Sequence, residues 1–356
     1  MKAKKYFIKT YGCQMNVSDA ERIAGWYESQ GWQAAQTIDK ADEIVIVTCS
    51  VRQTAEDRVY GLINNIVKRD KQNVRQPRII LTGCMLRYPL RWLKTKMPQV
   101  DEFKKINQYK EPTLPAGRHR TKNIVRNSKT KAFVPIMEGC NQFCSYCVVP
   151  YARGPEKSRP FEEIICEVKE LAKRGYQEIT LLGQNVNAYG KDSNELIHWS
   201  EKNFVNLLKE IHKIQGLKKI SFLTSNPWDL TEEIIEAMKL PKIDRYLHLP
   251  VQSGDDGILR KMNRHYTAKD YIELVKKIRQ QIPDIKIGTD IIVGFPGETE
   301  EQFQNTVDLC QKAGFVKAYV AMYSPRLGTT AFKLKDDIPH QEKRRRWKIL
   351  DDLINH

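Results

Sequence analysis

Short runs of β-branched and aliphatic residues alternate with amphipathic stretches along the chain. In the first hundred positions, residues 6–9, 43–47 and 78–81 have the length and composition of buried strands. After the first run, Ser18 and Glu21 read as a capping box and Gly31 as a stop, which predicts a helix. After the second, Ala55, Val59, Leu62, Ile63, Ile66 and Val67 recur at helical spacing. Six further strand-like runs follow, at 133–137, 178–182, 219–224, 246–250, 285–293 and 316–323, again separated by helical patterns. One of these helices sets Phe161, Ile164, Ile165, Val168, Leu171 and Ala172 on one face, with Pro160 at its start and Gly175 at its end. Thr267 with Asp270, and Thr299 with Gln302, mark two more helix starts.

Strict alternation of strand and helix predicts an α/β protein with parallel sheets and right-handed crossovers. We expect a Rossmann-like N-terminal domain over 1–115, a basic linker over 116–131, and a domain over 132–356 whose six βα units form an open or partial TIM-like barrel. In a parallel sheet every strand ends on one edge, and ligands bind outside it. Cys13, Cys49 and Cys84 each follow a strand of the first domain directly. One such cysteine would be ordinary core; three predict a shared ligand site. Between Pro112 and Lys131 the pattern breaks into Arg118, His119, Arg120, Lys122, Arg126, Lys129 and Lys131. That stretch reads either as a phosphate-touching linker or as a solvated charge run.

Charge sharpens the picture. Lys and Arg number 59 against 43 Asp and Glu, a formal net charge of +16, which favours a polyanionic partner bound in a salt-dependent way, or simply aids solubility. No apolar run reaches the roughly 18 residues that span a bilayer, and the first residues lack the apolar core of a secretory signal. A cytoplasmic protein is the expectation. In a chain of this size without an export signal, eight cysteines point to metal or redox chemistry rather than disulfides.

The most informative stretch is Cys140-Asn-Gln-Phe-Cys144-Ser-Tyr-Cys147. Three thiolates at this spacing suit three irons of a cubane cluster and leave the fourth open. A structural zinc site would close with a fourth ligand, and a ferredoxin run would continue to Cys-Pro, where Val148, Val149 and Pro150 stand instead. The spacing, placed after a first strand and before βα units, resembles the radical S-adenosylmethionine superfamily. That resemblance implies that the open iron chelates the amino and carboxylate groups of S-adenosylmethionine. Electron transfer then cleaves the sulfonium to a 5′-deoxyadenosyl radical, which takes hydrogen from unactivated carbons.

Tyr11-Gly12-Cys13-Gln14-Met15-Asn16, Thr48-Cys49-Ser50-Val51-Arg52 and Gly83-Cys84-Met85 resemble the methylthiotransferase family within it. This implies a second, auxiliary [4Fe-4S] cluster on Cys13, Cys49 and Cys84, beside the catalytic one on Cys140, Cys144 and Cys147. The stretch from Glu138 to Gly154, Ser158-Arg159-Pro160, and the stretch from Leu182 to Gly190 are similar to the MiaB type. Members of that type methylthiolate C2 of N6-isopentenyladenosine at tRNA position 37. The resemblance implies S-adenosylmethionine as both methyl donor and radical source, the tRNA anticodon loop as partner and an external electron donor; no membrane partner and a monomer are the further expectations. Sister enzymes act on threonylcarbamoyladenosine in tRNA or on a ribosomal-protein aspartate; a nonenzymatic iron–sulfur RNA-binding protein is the alternative of another class. The chain departs from the family pattern at Thr48, Asn226 and Leu327, where Asn, His and Pro are usual, and none of these is a cluster ligand. Family members end in a small RNA-binding barrel called TRAM, which the residues up to His356 do not contain, so weaker tRNA affinity is expected.

Candidate cofactor contacts are Tyr146 in the cysteine loop, Gln184 and Asn185 where the superfamily carries Gly-Gly-Glu, Ser225 and Gln252 after the third and fourth strands, and Val293 near the adenine. Each of these could instead serve a turn. Tyr146, Tyr151 and Tyr189 are candidates for stacking a base. Arg153, Arg264 and Arg326 could grip phosphates or the cofactor carboxylate, or form surface ion pairs. Cys166 is expected exposed and Cys310 in the core, neither as a ligand.

Overall fold

The computed structural model describes residues 3–70, 77–109, 124–192 and 203–356. The N-terminal sheet comprises β1 (Lys5–Thr10), β2 (Gln33–Ala34), β3 (Glu43–Thr48), β4 (Arg78–Gly83) and β5 (Glu102–Phe103). Their order is β2-β1-β3-β4-β5, with every neighbouring pair parallel. The two edge strands were not foreseen, being too short to leave a periodic signal. Alternation along β3 sends Ile44 and Ile46 beneath α2 (Gln53–Asp70) and α3 (Leu90–Lys96), and Val45 and Val47 beneath α1 (Gln14–Ser29). Both faces are covered, which is why these strands are apolar throughout.

Helix α1 begins four residues before the expected capping box. Cys13 is its N-cap, without a side-chain cap bond. Ser18 and Glu21 lie inside the helix, and the Glu21 carboxylate instead accepts from Asn127 N at 2.9 Å and Arg126 Nη1 at 3.3 Å. Arg126 was read as part of a phosphate-touching or solvated run; it is buried between Glu21 and Glu167, the latter at 2.7 Å. Residues 116–123 of the expected linker lie outside the described residues.

The second domain opens with β6 (Lys131–Pro135). The short strands β7 (Met137–Glu138) and β8 (Lys157–Ser158) pair antiparallel and clip the cysteine loop. Strands β9 (Glu178–Leu182), β10 (Lys219–Phe222), β11 (Tyr246–His248), β12 (Lys286–Val293) and β13 (Lys317–Met322) follow. All ladders among β6 and β9–β13 are parallel, and an Ile220–Ile243 bridge joins the two triplets into one wall, β6-β9-β10-β11-β12-β13. Among the described residues no ladder closes β13 onto β6, and α1 packs against β6 at that side. The barrel is therefore partial.

Around it lie α4 (Val149–Arg153), α5 (Phe161–Lys173), α6 (Phe204–Lys213), α7 (Glu232–Met238), α8 (Asp256–Lys261), α9 (Ala268–Gln281), α10 (Glu300–Ala313) and α11 (His340–Asn355). Two of the three expected capping boxes form, at Thr267–Asp270 and Thr299–Gln302. Cys310 is in the core, whereas Cys166 is half-buried rather than exposed. Among the described residues no helix is long and apolar enough to cross a membrane.

Candidate active site at the facing strand ends

The auxiliary trio forms where β1, β3 and β4 end. Cys13 and Cys84 each follow a glycine of positive φ. A Cβ on Gly12 would lie 2.5 Å from the Cys49 Cβ, and one on Gly83 would lie 2.5 Å from the Thr48 carbonyl oxygen, so close approach of the loops requires both glycines. Thr48 braces them: its hydroxyl donates to Thr82 O at 2.6 Å and accepts from Met85 N at 3.0 Å. Burial pushes the Cys49 thiol up to about 11, and the charges of Cys84 and Cys13 push the same way. Cys84 is also raised, by burial first, while the Arg153 guanidinium against it pulls the other way.

The catalytic trio sits on the loop after β6 and β7. Burial is the first cause of raised thiol pKa at Cys140 and Cys147, each to about 12, and Cys144 adds to both. Without metal the Cys140 and Cys147 thiols stay protonated, and ligation must displace those protons. Among the described residues no group of three or more His, Cys, Asp or Glu is set to hold a single metal ion.

The remaining strand ends ring this loop. After β9, Asn185 is fully buried and donates to Asp229 at 3.0 Å, but its Oδ1 has no partner. After β10, the buried Ser225 Oγ is likewise unpartnered, and Thr224 holds φ +70°. After β11, Gln252 holds φ +68° and is buried. These are costly conformations and orphaned atoms, concentrated at one mouth. Val293 is buried at the end of β12.

Arg264, named with Arg153 and Arg326 as a candidate grip on phosphates or the cofactor carboxylate, is buried beside them. It donates to Pro250 O at 2.9 Å, contacts Cys144 Sγ at 3.6 Å and lies 4.6 Å from the Trp228 ring centre. Its guanidinium meets no carboxylate among the described residues, so one buried positive charge remains uncompensated. Two unpaired oxygens and one unpaired cation suit a ligand carrying both an ammonium and a carboxylate.

Other expected residues are placed differently. Gln184 is engaged, its Oε1 accepting from Gly139 N at 2.6 Å, so it shapes the cysteine loop. Tyr146 is partly buried against Phe295 and Tyr323, and burial holds its hydroxyl pKa well above the usual value. Tyr189 is core, with its hydroxyl donating to Arg159 O at 2.8 Å, and cannot stack a base. Tyr151 is 47% exposed and meets Phe143, 56% exposed, edge to face at 6.2 Å. Phe143 was missed, because an aromatic between two ligands carries no periodic signal. Arg153 and Arg326 are not surface ion pairs: each is buried against a carboxylate of the N-terminal domain, Asp19 and Glu56, both at 2.7 Å.

Comparison with known proteins agrees with this architecture. The family described as Radical SAM superfamily matches residues 134–310, and Uncharacterized protein family UPF0004 matches 5–104. Among solved structures, the radical S-adenosylmethionine methyltransferase TsrM from Kitasatospora setae shares the fold, with TM-score 0.59, 14% identity and coverage of 90% of this chain and 73% of that one. The cobalamin-dependent enzyme OxsB does so with TM-score 0.58 and 9% identity, over 99% of this chain and 56% of its own. Much nearer relatives carry the name tRNA-2-methylthio-N(6)-dimethylallyladenosine synthase. The one from Thermoanaerobacter sp. (strain X514) is 45% identical over 98% of this chain and 78% of its own. That from Caldicellulosiruptor saccharolyticus is 44% identical over 99% and 78%. With such identity across both domains, this chain belongs to the family of the tRNA-2-methylthio-N(6)-dimethylallyladenosine synthases, within the radical S-adenosylmethionine superfamily.

Proposed function

We propose that this enzyme adds a methylthio group to C2 of N6-isopentenyladenosine at position 37 of tRNA, giving 2-methylthio-N6-isopentenyladenosine. The observation that carries this reading is the pair of cysteine trios, one on each domain, at strand ends linked through Arg153. Cys140, Cys144 and Cys147 would hold the catalytic [4Fe-4S] cluster, and Cys13, Cys49 and Cys84 the auxiliary one. When bound, these clusters and S-adenosylmethionine supply one-electron and methyl-transfer chemistry. The chain's own part is to bind, orient and exclude water. Asn185 Oδ1 and Ser225 Oγ are the acceptors left for the cofactor ammonium, and Arg264 is the cation left for its carboxylate. Gln252 and Val293 would line the rest of that pocket, with Tyr146 beside the cluster.

The exposed Phe143–Tyr151 pair, next to Cys144, supports recognition of an unstacked loop base. The formal charge of +16 supports a polyanionic partner. One chain carries both trios, which supports action as a monomer, served by an external electron donor in the cytoplasm with the tRNA pool. The test is anaerobic reconstitution with iron and sulfide, then reduction with S-adenosylmethionine and isopentenylated tRNA, followed by nucleoside mass spectrometry. The expected product is the methylthiolated nucleoside, abolished by Ala at any of the six cysteines. Normal turnover in any such variant, or product only on threonylcarbamoyladenosine, would overturn the reading.

A further inference from the structure

Arg153 closes α4, six residues beyond Cys147, yet its side chain leaves its own domain. Nη2 donates to Asn16 Oδ1 and to Asp19 Oδ2, both at 2.7 Å and both on α1. Nη1 donates to Glu138 at 3.0 Å, two residues before Cys140. Asn16 passes the connection on: its Nδ2 donates to Tyr11 O at 2.6 Å and Thr48 O at 2.9 Å. Those carbonyls lie beside Cys13 and Cys49, and the Thr48 hydroxyl in turn holds Thr82 and Met85 on either side of Cys84. A continuous hydrogen-bonded path therefore runs from the catalytic loop, through one guanidinium, to the backbone flanking all three auxiliary cysteines. The centre of the path is dry, with Arg153 5% exposed and Asp19 without accessible side-chain surface, while Glu138 at its catalytic-loop end is 51% exposed. A planar fork holds these three acceptors in fixed, spread directions, which the compact, rotatable ammonium of a lysine does not.

We propose that Arg153 is a positioning residue that sets the separation and orientation of the Cys13–Cys49–Cys84 site relative to the Cys140–Cys144–Cys147 site, so that chemistry begun at one is completed at the other. This rests on the reading that both trios hold clusters. Without the fork, each domain keeps its own ligands while the register between them loosens. A displacement of about 1 Å between reacting groups costs on the order of 10²-fold in rate.

The test compares the wild-type chain with R153Q, R153K and D19N, all reconstituted anaerobically. Three quantities are measured: iron and sulfide content, the spin–spin distance distribution between the two reduced clusters by pulsed EPR, and methylthiolated product per 5′-deoxyadenosine. We expect full cluster content, a broadened distance distribution, and a product ratio lowered on the order of 10²-fold in R153Q. R153K, which keeps a charge on Asp19, should fall less, and D19N should fall in the same direction. Unchanged distances and ratio would overturn the proposal. So would loss of 5′-deoxyadenosine in step with product, which would confine Arg153 to supporting its own loop. If R153Q loses iron, R153K carries the same comparison. The distance measurement needs no tRNA, so it stands even where the substrate assignment fails.

Discussion

Arg326 and Glu56 give the sharpest energetic test of how the two domains are joined. Arg326 follows the last barrel strand, and its side chain enters the N-terminal domain. Nη2 meets Glu56 Oε1 at 2.7 Å, Nη1 meets Gln53 Oε1 at 2.6 Å, and Nε meets Ser50 O at 3.1 Å. Side-chain exposure is 4% for Arg326 and 3% for Glu56. Replacing Arg326 by Met removes the charge but keeps most of the volume, which leaves Glu56 buried. Orphaning one member of a buried pair costs about 3–5 kcal/mol. Arg87, within electrostatic reach of Glu56 and donating to Ser50 Oγ at 2.8 Å, offsets part of this. The lower end, about 3 kcal/mol, is therefore expected. In urea unfolding of the metal-free protein, a slope of about 3 kcal/mol/M would place the midpoint about 1 M lower. R326M/E56M should be less destabilised than R326M alone, since the carboxylate is no longer buried without its main partner. A loss below about 1 kcal/mol, the size of an exposed pair, would refute this account. So would a double variant weaker than the single one.

Three further outcomes follow from the same geometry. Ser225→Ala should move two quantities in opposite directions: the metal-free protein gains about 1 kcal/mol by losing an unpartnered buried hydroxyl, while S-adenosylmethionine binds the reconstituted enzyme about fivefold to tenfold more weakly. Calorimetry and equilibrium binding check both, and lower stability with unchanged affinity would contradict the assignment. Tyr151→Ala and Phe143→Ala should leave stability within about 0.5 kcal/mol, since both side chains are exposed. Each should weaken binding of an anticodon stem–loop by about 1–3 kcal/mol if it stacks a base. Hydrogen bonds from Arg345 and Arg346 hold the Glu342 carboxyl down at about 2. A depressed acid stabilises the fold above its unfolded pKa, and that contribution is lost as pH falls toward the folded value. The hydrogen-exchange protection factors of α11 in the metal-free protein, taken relative to intrinsic rates, should therefore fall over that acid range, and Glu342→Gln should remove much of the dependence.

The strands, the two capping boxes and the gathering of cysteines at strand ends were legible because each is set by neighbours along the chain. The domain interface was not. Arg153 and Asp19 are 134 residues apart, and Arg326 and Glu56 are 270 apart. Asp19, Glu21, Glu56 and Glu167 are all buried, yet a carboxylate on an amphipathic helix reads as a solvent-facing residue. Only the docking of a second domain turns that polar face inward. The same cause misplaced the start of α1, where Glu21 imitates a capping residue while serving Arg126. On α11, docking likewise buries Lys343 and Arg346 of the basic run 343–348, and Arg346 meets Glu298 at 2.8 Å.

Most departures from local rules in the described part of the second domain gather at one place, His212 Nδ1 on α6 being unpartnered elsewhere and Asn263 holding φ +56° beside Arg264. Thr224 and Gln252 hold left-handed backbone, Asn185 and Ser225 bury unpaired oxygens, and Arg264 buries an unpaired charge. All follow or flank consecutive strand ends of one wall. Each left-handed non-glycine residue costs on the order of 1–3 kcal/mol, and each orphaned polar group costs a similar amount. A fold with a large core could remove them singly, by glycine at 224 or alanine at 225. Keeping them together makes sense only if one ligand satisfies them together. A zwitterion would do so: its ammonium would take the two oxygens and its carboxylate the guanidinium, so the strain stored at this mouth would become affinity for the amino-acid end of the cofactor.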